Sequence, residues 1–305
     1  MKQNRREFIS TMAAAGAAIP FAMNTNIMPS NQPDKKYPVR LFSKPIDSYD
    51  FTFMCEVATK SGIGGFDLTV RKGGKVEPAN VETDLPKLVE QAKKHNLAID
   101  MMVTDILSVS DPFTERVLKA GSAAGIKYYR YSWASYENNA DIMETIKKYH
   151  DELKNVTELN RKYKIHGGYQ NHVGARLGAP VWDLYELLRD LPAEYCGSQY
   201  DVRHAMVEGA NTWMLGMKLI SNKIKTLAIK DFTWKSENGK QPQAVTVPMG
   251  EGMVNWDTYF KNVKSLKIEG PLTIHVEYPL LEKGEEKLSL DRQQEIIVRK
   301  IKKDV

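Results

Sequence analysis

The sequence has little of what would tie it to several large functional classes. Two cysteines in 305 residues, Cys55 and Cys196, fall on segments far apart, which argues against a disulfide framework. Six histidines with wide gaps do not supply the histidine-rich trinuclear zinc site of a DNA-repair nuclease. Beyond the N-terminal segment no apolar run approaches the ~20 residues needed to cross a bilayer. The segment "RLFSKPIDSYDF", following the first strand-like run, has no glycine, so it cannot form the Gly-x-Gly-x-x-Gly turn of a dinucleotide-binding open sheet. A net charge of +5 is modest, and no basic stripe interleaved with aromatics appears, so a nucleic-acid partner is not indicated.

What is present is a chain with 42% hydrophobic and 27% charged residues, enough to bury a large core. Its first 24 residues stand apart. Arg5 and Arg6 precede Phe8 and an alanine-rich run to about Ala22. This resembles a twin-arginine export signal, which implies a periplasmic protein whose signal is removed or kept as an anchor. Residues 25–37, rich in proline, asparagine and serine, read as a linker, and the folded part is expected over 38–305.

Short strand-like runs occur at 39–43, 65–70, 97–104, 127–133, 163–170, 195–201, 225–232 and 272–278. Amphipathic, helix-like stretches lie between them, among them 81–96, 111–125, 140–161 and 182–191. Eight alternating units predict an α/β fold, a single-domain (β/α)₈ TIM barrel. In that fold the site is built at the C-terminal ends of the strands. Ionisable and polar residues collect there: Asp67 and Arg71, Asp105, Arg130 and Trp133, Gln170 and His172, Asp201 with Arg203 and His204, Lys230 and Asp231, His275 and Glu277. Burying so many charges in a core would cost several kcal/mol each unless paired. Asp105 and Asp231 also suit caps or loop anchors, His275 a core imidazole, and Arg71 a partner for Asp67.

The segments "YQNHVG" (169–174), "YDVRHA" (200–205), "LAIKDF" (227–232), "VPMGEGMVNW" (247–256) and "HVEYP" (275–279) together resemble the xylose isomerase-like barrels, which include sugar phosphate isomerases and epimerases. The resemblance implies one divalent metal held by a Glu, an Asp, a His and a final Glu, with the two glutamates moving protons between sugar carbons. Asp201 matches the second ligand, Glu277 the fourth, His204 a substrate-contacting His, and Gly250, Glu251 and Gly252 the Gly-Glu-Gly loop. Two positions depart: Gln170 stands for the first Glu, and Ala228, with Lys230 nearby, for the metal-binding His. Gln170 cannot accept a proton as a base, and Ala228 cannot ligate.

Two arrangements follow. Gln170, Asp201 and Glu277 hold a divalent metal (manganese, magnesium or zinc, the oxygen donors favouring the harder ions), or the metal is absent and Lys230 replaces its charge beside Glu277 as base. Catalysis is assigned to Glu277, Lys230 and His204. Substrate binding is assigned to Arg71, Arg130, His172, Arg203 and Trp133, with Tyr169, Trp182 and Trp234 as further aromatic faces. The expected activity is isomerase- or epimerase-type proton transfer on a small keto-sugar or polyol. The cations suit a phosphate or carboxylate, but no glycine-rich cradle follows strands seven or eight, so an unphosphorylated or acidic sugar is preferred. The alternatives are a sugar-binding barrel without catalysis, a lyase, or a glycosidase using Asp201 and Glu277. Self-association into a homo-oligomer is left open.

Overall fold

The computed structural model describes residues 37–236 and 239–305. The expected export signal, and all of the expected linker except Tyr37, lie outside the described residues. Seven parallel strands follow in order: β1 (Val39–Phe42), β2 (Gly65–Val70), β3 (Ala98–Thr104), β4 (Tyr128–Arg130), β5 (His166–Gln170), β6 (Cys196–Asp201) and β7 (Ile224–Ile229). An antiparallel hairpin, β8 (Asp231–Lys235) and β9 (Gln243–Val247), then precedes β10 (Leu272–Ile274). β10 pairs with β7 on one side and β1 on the other, closing an eight-stranded parallel barrel. The fold is the expected TIM barrel, a single domain.

Helices α1 (Phe51–Ser61), α2 (Val81–Lys94), α3 (Thr114–Ala123), α4 (Ile142–Tyr163), α5 (Val181–Leu188), α6 (Val202–Gly209), α7 (Trp213–Leu219), α8 (Trp256–Ser265) and α9 (Leu290–Ile301) lie between and after the strands. Both faces of the sheet are therefore covered. All residues of β2, β5 and β6 are buried, which is why the barrel strands read as runs and not as alternations. Burying side chains such as Phe66, Leu68 and Leu227 contributes about 1.5–3 kcal/mol each. Helix starts are set locally: Asp50, Asp141 and Asn255 each accept a backbone N–H of the first turn, at 2.7, 2.9 and 2.9 Å. The two glycines that open "GGYQ" also have a cause. A Cβ at Gly167 would lie 2.3 Å from the Tyr131 ring, so the aromatic filler requires a glycine opposite it.

The barrel's two ends differ. Near the N-terminal end, Arg40 of β1 grips Asp100 of β3 through two hydrogen bonds of 2.6 and 2.7 Å. At the other end several strands are shorter than their apolar runs suggest. β4 stops at Arg130, β7 at Ile229 and β10 at Ile274, so Trp133, Lys230, Asp231, His275 and Glu277 stand on the segments beyond. The hairpin is an addition to the expected pattern. It continues the apolar run of 225–232, so one stretch of sequence supplies both a barrel strand and the start of a separate ribbon.

Candidate active site at the barrel mouth

Asp201 ends β6 and begins α6. One carboxylate oxygen caps the helix, accepting the His204 N–H at 3.1 Å. Asn171 fixes the same residue's backbone, accepting its N–H and donating to its carbonyl, both at 2.8 Å. The second carboxylate oxygen is thereby aimed into the barrel mouth. It accepts from the Gln170 amide at 2.8 Å and lies 3.2 Å from Lys230 Nζ. Lys230 in turn donates to Glu277 Oε2 at 2.8 Å. One buried ammonium thus bridges two carboxylates, one wholly buried and one whose side chain is 33% exposed at the mouth.

Strand geometry explains this placement. Ala228 is the register partner of Asp201 and of Thr273, and Lys230 follows it by two residues. The period of two sets Lys230 on the same face as Ala228, one step nearer the mouth.

The donor set does not fit a divalent metal. Arg130 Nη1 donates to Gln170 Oε1 at 2.9 Å, and because a guanidinium only donates, the amide orientation is fixed: the oxygen faces Arg130 and the NH₂ faces Asp201. Gln170 therefore presents hydrogens where a ligand oxygen is needed. Lys230 holds the space between the two carboxylates, and Ala228 offers no donor. Among the described residues no group of three or more His, Cys, Asp or Glu side chains is arranged to hold a metal. Gln170, Asp201 and Glu277 are indeed brought together, but around an ammonium.

Burial works to raise the Glu277 carboxyl. The Lys230 ammonium and His275, whose Nδ1 is 3.8 Å away, outweigh it and hold Glu277 well below the usual carboxylate range. Two histidines close the mouth on the other side. His204 Nδ1 faces Arg203 Nη1 at 2.9 Å, and the Val173 N–H at 3.4 Å. Both are donors, so Nδ1 accepts and the proton sits on Nε2, which has no hydrogen-bond partner among the described residues. Burial, followed by the charges of Lys230, His172 and Arg203, keeps the ring neutral, far below 6.5. His172 stacks on His204 with ring centroids 3.9 Å apart and places Nδ1 3.1 Å from the Val173 carbonyl. Its proton is on that nitrogen, and burial lowers its pKa to about 4.

The remaining expected residues divide. Trp133 meets the His172 edge at 4.8 Å and lies under the Arg130 guanidinium at 3.9 Å. Arg71 is half-buried and close enough to Arg130 to repel it. Among the described residues it makes no ion pair, with Asp67 or otherwise. Arg203 spends two donors on His204 and on the Ala244 carbonyl at 2.7 Å, which ties the hairpin to the imidazole. It faces the site through His204. Tyr169 is fully buried, its hydroxyl accepting the Ala134 N–H at 2.9 Å, and Trp182 and Trp234 are exposed by 60% and 45%, so Trp133 is the aromatic of the site. Asp105 anchors the Lys72 N–H at 2.8 Å.

Asp231 is also a loop anchor, receiving N–H groups from Phe232, Gly250, Gly252, Val254 and the Trp256 indole at 2.8–3.3 Å. A Cβ at Gly252 would sit 2.1 Å from its carboxylate, which explains the second glycine of the Gly-Glu-Gly loop. Glu251 points outward, 3.6 Å from Lys303. Asp201 and Glu277 share a single ammonium, so they do not flank a gap for a glycosidic bond. A cavity of about 360 Å³ opens to one side, between the segments after β2 and β3, and is lined by Lys72, Asp105 and Phe113. None of the catalytic or ligand candidates lines it.

The sequence reading missed Arg176. It lies in the segment after β5, its guanidinium 4.6 Å from the Trp133 ring. The signal was a lone arginine in "NHVGARLGAP", which carries no spacing rule. A short bridge between Ser135 and Arg176, with Tyr136 and Leu177 donating to the Ala175 and Ala134 carbonyls, zips the segments after β4 and β5 together.

A closed barrel with its polar side chains gathered at one mouth defines the fold class, and the family follows from comparison. Residues 55–296 match the family model described as xylose isomerase-like TIM barrel, and the chain belongs to that family. No curated protein matches the sequence. Among solved structures, "IOLI protein with a binding zinc atom" superposes with a TM-score of 0.67 at 15% identity, covering 86% of this chain and 96% of that one. D-Psicose 3-epimerase from Clostridium cellulolyticum H10 gives 0.65 at 9% identity, with 88% and 98% covered. The "probable 3-DHS dehydratase AsbF" from Bacillus anthracis gives 0.64 at 14%, with 86% and 97% covered. At these identities the three structures share the barrel fold with this chain.

Proposed function

We propose that this protein abstracts a proton next to the carbonyl of a small keto-sugar or a related carbonyl-bearing polyol, with Lys230 in the role that a divalent cation plays in metal-dependent members of the fold. The observation that carries this reading is the single ammonium bonded to Glu277 at 2.8 Å and Asp201 at 3.2 Å inside the mouth. A substrate carbonyl oxygen reaching Lys230 displaces part of its bond to Glu277. The ammonium then stabilises the charge developing on that oxygen, and the carboxylate, relieved of its strongest partner, becomes a better base. The carbon–hydrogen bond breaks toward Glu277, leaving an enediolate whose negative oxygen faces Lys230. The His204 Nε2–H, 3.7 Å from Asp201 Oδ2 and without a hydrogen-bond partner among the described residues, is a spare donor for a substrate hydroxyl.

Gln170 occupies the opposite side and cannot take a proton. Asp201, the other carboxylate, has both oxygens engaged by the Gln170 amide, Lys230 and the His204 N–H, which leaves Glu277 as the one base and favours reactions in which it returns the proton to the adjacent carbon, as in aldose–ketose isomerisation, or in which a hydroxyl leaves. Two-base epimerisation is disfavoured.

The test is exchange of carbon-bound hydrogen in deuterium oxide across a panel of ketoses and keto-acids, read by mass spectrometry. Label entering next to the carbonyl, and lost in Glu277→Gln, supports the reading. A ligand that binds without exchange overturns it in favour of a sugar-binding barrel, a reading supported by the internal satisfaction of the Asp201–Lys230–Glu277 group. Export belongs to the same proposal and is supported by Arg5, Arg6 and the apolar run behind them. Fusion of residues 1–37 to a reporter tests it, and retention of that reporter in the cytoplasm would remove it.

A further inference from the structure

We infer that the substrate carries an oxyanion, and that Arg130, Arg176 and Trp133 form the subsite that binds it. This rests on the proton-transfer reading for the location of the reacting carbons, and adds the charge of the molecule that supplies them.

Two guanidiniums lie over one indole, that of Arg130 at 3.9 Å and that of Arg176 at 4.6 Å. Among the described residues neither makes an ion pair with a carboxylate, and the direct partner of Arg130 is the neutral amide of Gln170. Three buried donors around this stack have no hydrogen-bond partner among the described residues: Arg130 Nε, Arg176 Nη1 and Trp133 Nε1. Arg130 is only 3% exposed, and Arg71 adds a like charge from the segment after β2.

A buried guanidinium left without a counter-ion is costly, and donors whose side chains apolar residues could replace at little cost are retained here in a cluster. The acids that influence Arg130, namely Asp67, Glu277 and Asp105, act on it through space and not by contact. Burial, followed by repulsion from Arg71, lowers its pKa to about 9, as expected for a cation waiting for an anion. A carboxylate or phosphate oxygen placed against the stack would accept from several of these donors in one geometry. The bridge between the segments after β4 and β5 holds Trp133 and Arg176 on adjoining backbone without a ligand, and an anion enters by displacing the side chains that cover the donors.

The test is thermal stabilisation and calorimetric binding on the full chain at matched ionic strength. The probes are small oxyanions (D-glycerate, inorganic phosphate), their neutral counterpart glycerol, and the sugars D-glucuronate, D-fructose 6-phosphate and D-fructose. An anionic member of either set should bind at least about tenfold more tightly than its neutral counterpart, about 1.4 kcal/mol. That preference should fall to near unity in Arg176→Gln, with an unliganded melting transition showing that the variant is folded. Arg130→Lys, which keeps a charge, should retain part of it. Preference for the carboxylate or for the phosphate supports the inference and names the source. Equal response to anions and neutral compounds, no response to either, or a preference that survives Arg176→Gln overturns it. Because binding is read without turnover, failure here leaves the proton-transfer reading standing, and absence of deuterium exchange leaves this one standing.

Discussion

Asp201 and Asp231 are both fully buried carboxylates placed at the exits of neighbouring barrel strands, yet their surroundings give them opposite tasks. Asp231 is enclosed by four backbone N–H groups and one indole, none of which can move without rebuilding the loop. Asp201 gives one oxygen to a helix cap and the other to side chains, an amide and an ammonium that can exchange partners. The same chemical group is structural where the backbone satisfies it and reactive where mobile donors do. Charge and burial alone would not tell the two apart.

The largest effect that would break this distinction is at the structural residue. Asp231→Ala strands five donors and removes the anchor of residues 248–256, and is expected to cost on the order of 3–5 kcal/mol, a large part of ordinary domain stability. Urea denaturation checks it. A loss below about 1 kcal/mol would mean that water replaces the carboxylate, and the contrast with Asp201 would collapse.

Next in size is the reactive counterpart. Lys230→Met should reduce deuterium exchange by about 100- to 1000-fold, the usual consequence of removing one donor to a developing oxyanion. Glu277→Gln should do at least as much, at a moderate cost in melting temperature with the chain still folded, since Asp201 still neutralises the buried Lys230. If Glu277→Gln instead unfolds the chain, the bridge is structural and the two aspartates belong to one class.

Part of this contrast was legible in the sequence. Eight alternating units predicted the barrel because strands buried on both faces need continuous apolar runs, and polar residues cannot accumulate at their C-terminal ends without a use. Gln170 and Ala228 stood out as departures for chemical reasons that need no coordinates. The ends of β4, β7 and β10 were not legible, because an apolar run continues into buried loop or ribbon without any change in composition. Arg203 and Arg176 show the other limit. One arginine in a motif turned out to be tied to the hairpin, and another in an unremarkable loop sits over Trp133, because partner choice depends on contacts between segments far apart in sequence.

A smaller effect comes from two histidines of the mouth. His172 and His204 take up protons less readily in the folded chain than the ordinary imidazole value of 6.5, so on acidification the unfolded chain binds protons first. Their contribution to stability is complete above about pH 6.5 and is lost as the pH falls, for His172 toward about 4, with a slope of at most about 1.4 kcal/mol per histidine and pH unit. Melting temperatures over that window should fall less steeply in His172→Gln. An unchanged slope would place His172 in water.

The sharpest comparison predicts no effect at all. If Lys230 is the resident cation, dialysis against a strong chelator leaves deuterium exchange unchanged, because no step requires a metal and Gln170 already points its amide hydrogens at Asp201. The donor set can be converted: Gln170→Glu with Ala228→His and Lys230→Met places a carboxylate and an imidazole beside Asp201 and Glu277 and removes the ammonium that separates them. That variant should bind manganese or zinc stoichiometrically by elemental mass spectrometry, whereas the parent should not. A parent chain that loses exchange on chelation and regains it with added metal would show that Lys230 yields its place when an ion arrives. Asp201 would then be a metal ligand held in reserve by an ammonium, and the division between the two aspartates would rest on what each can release.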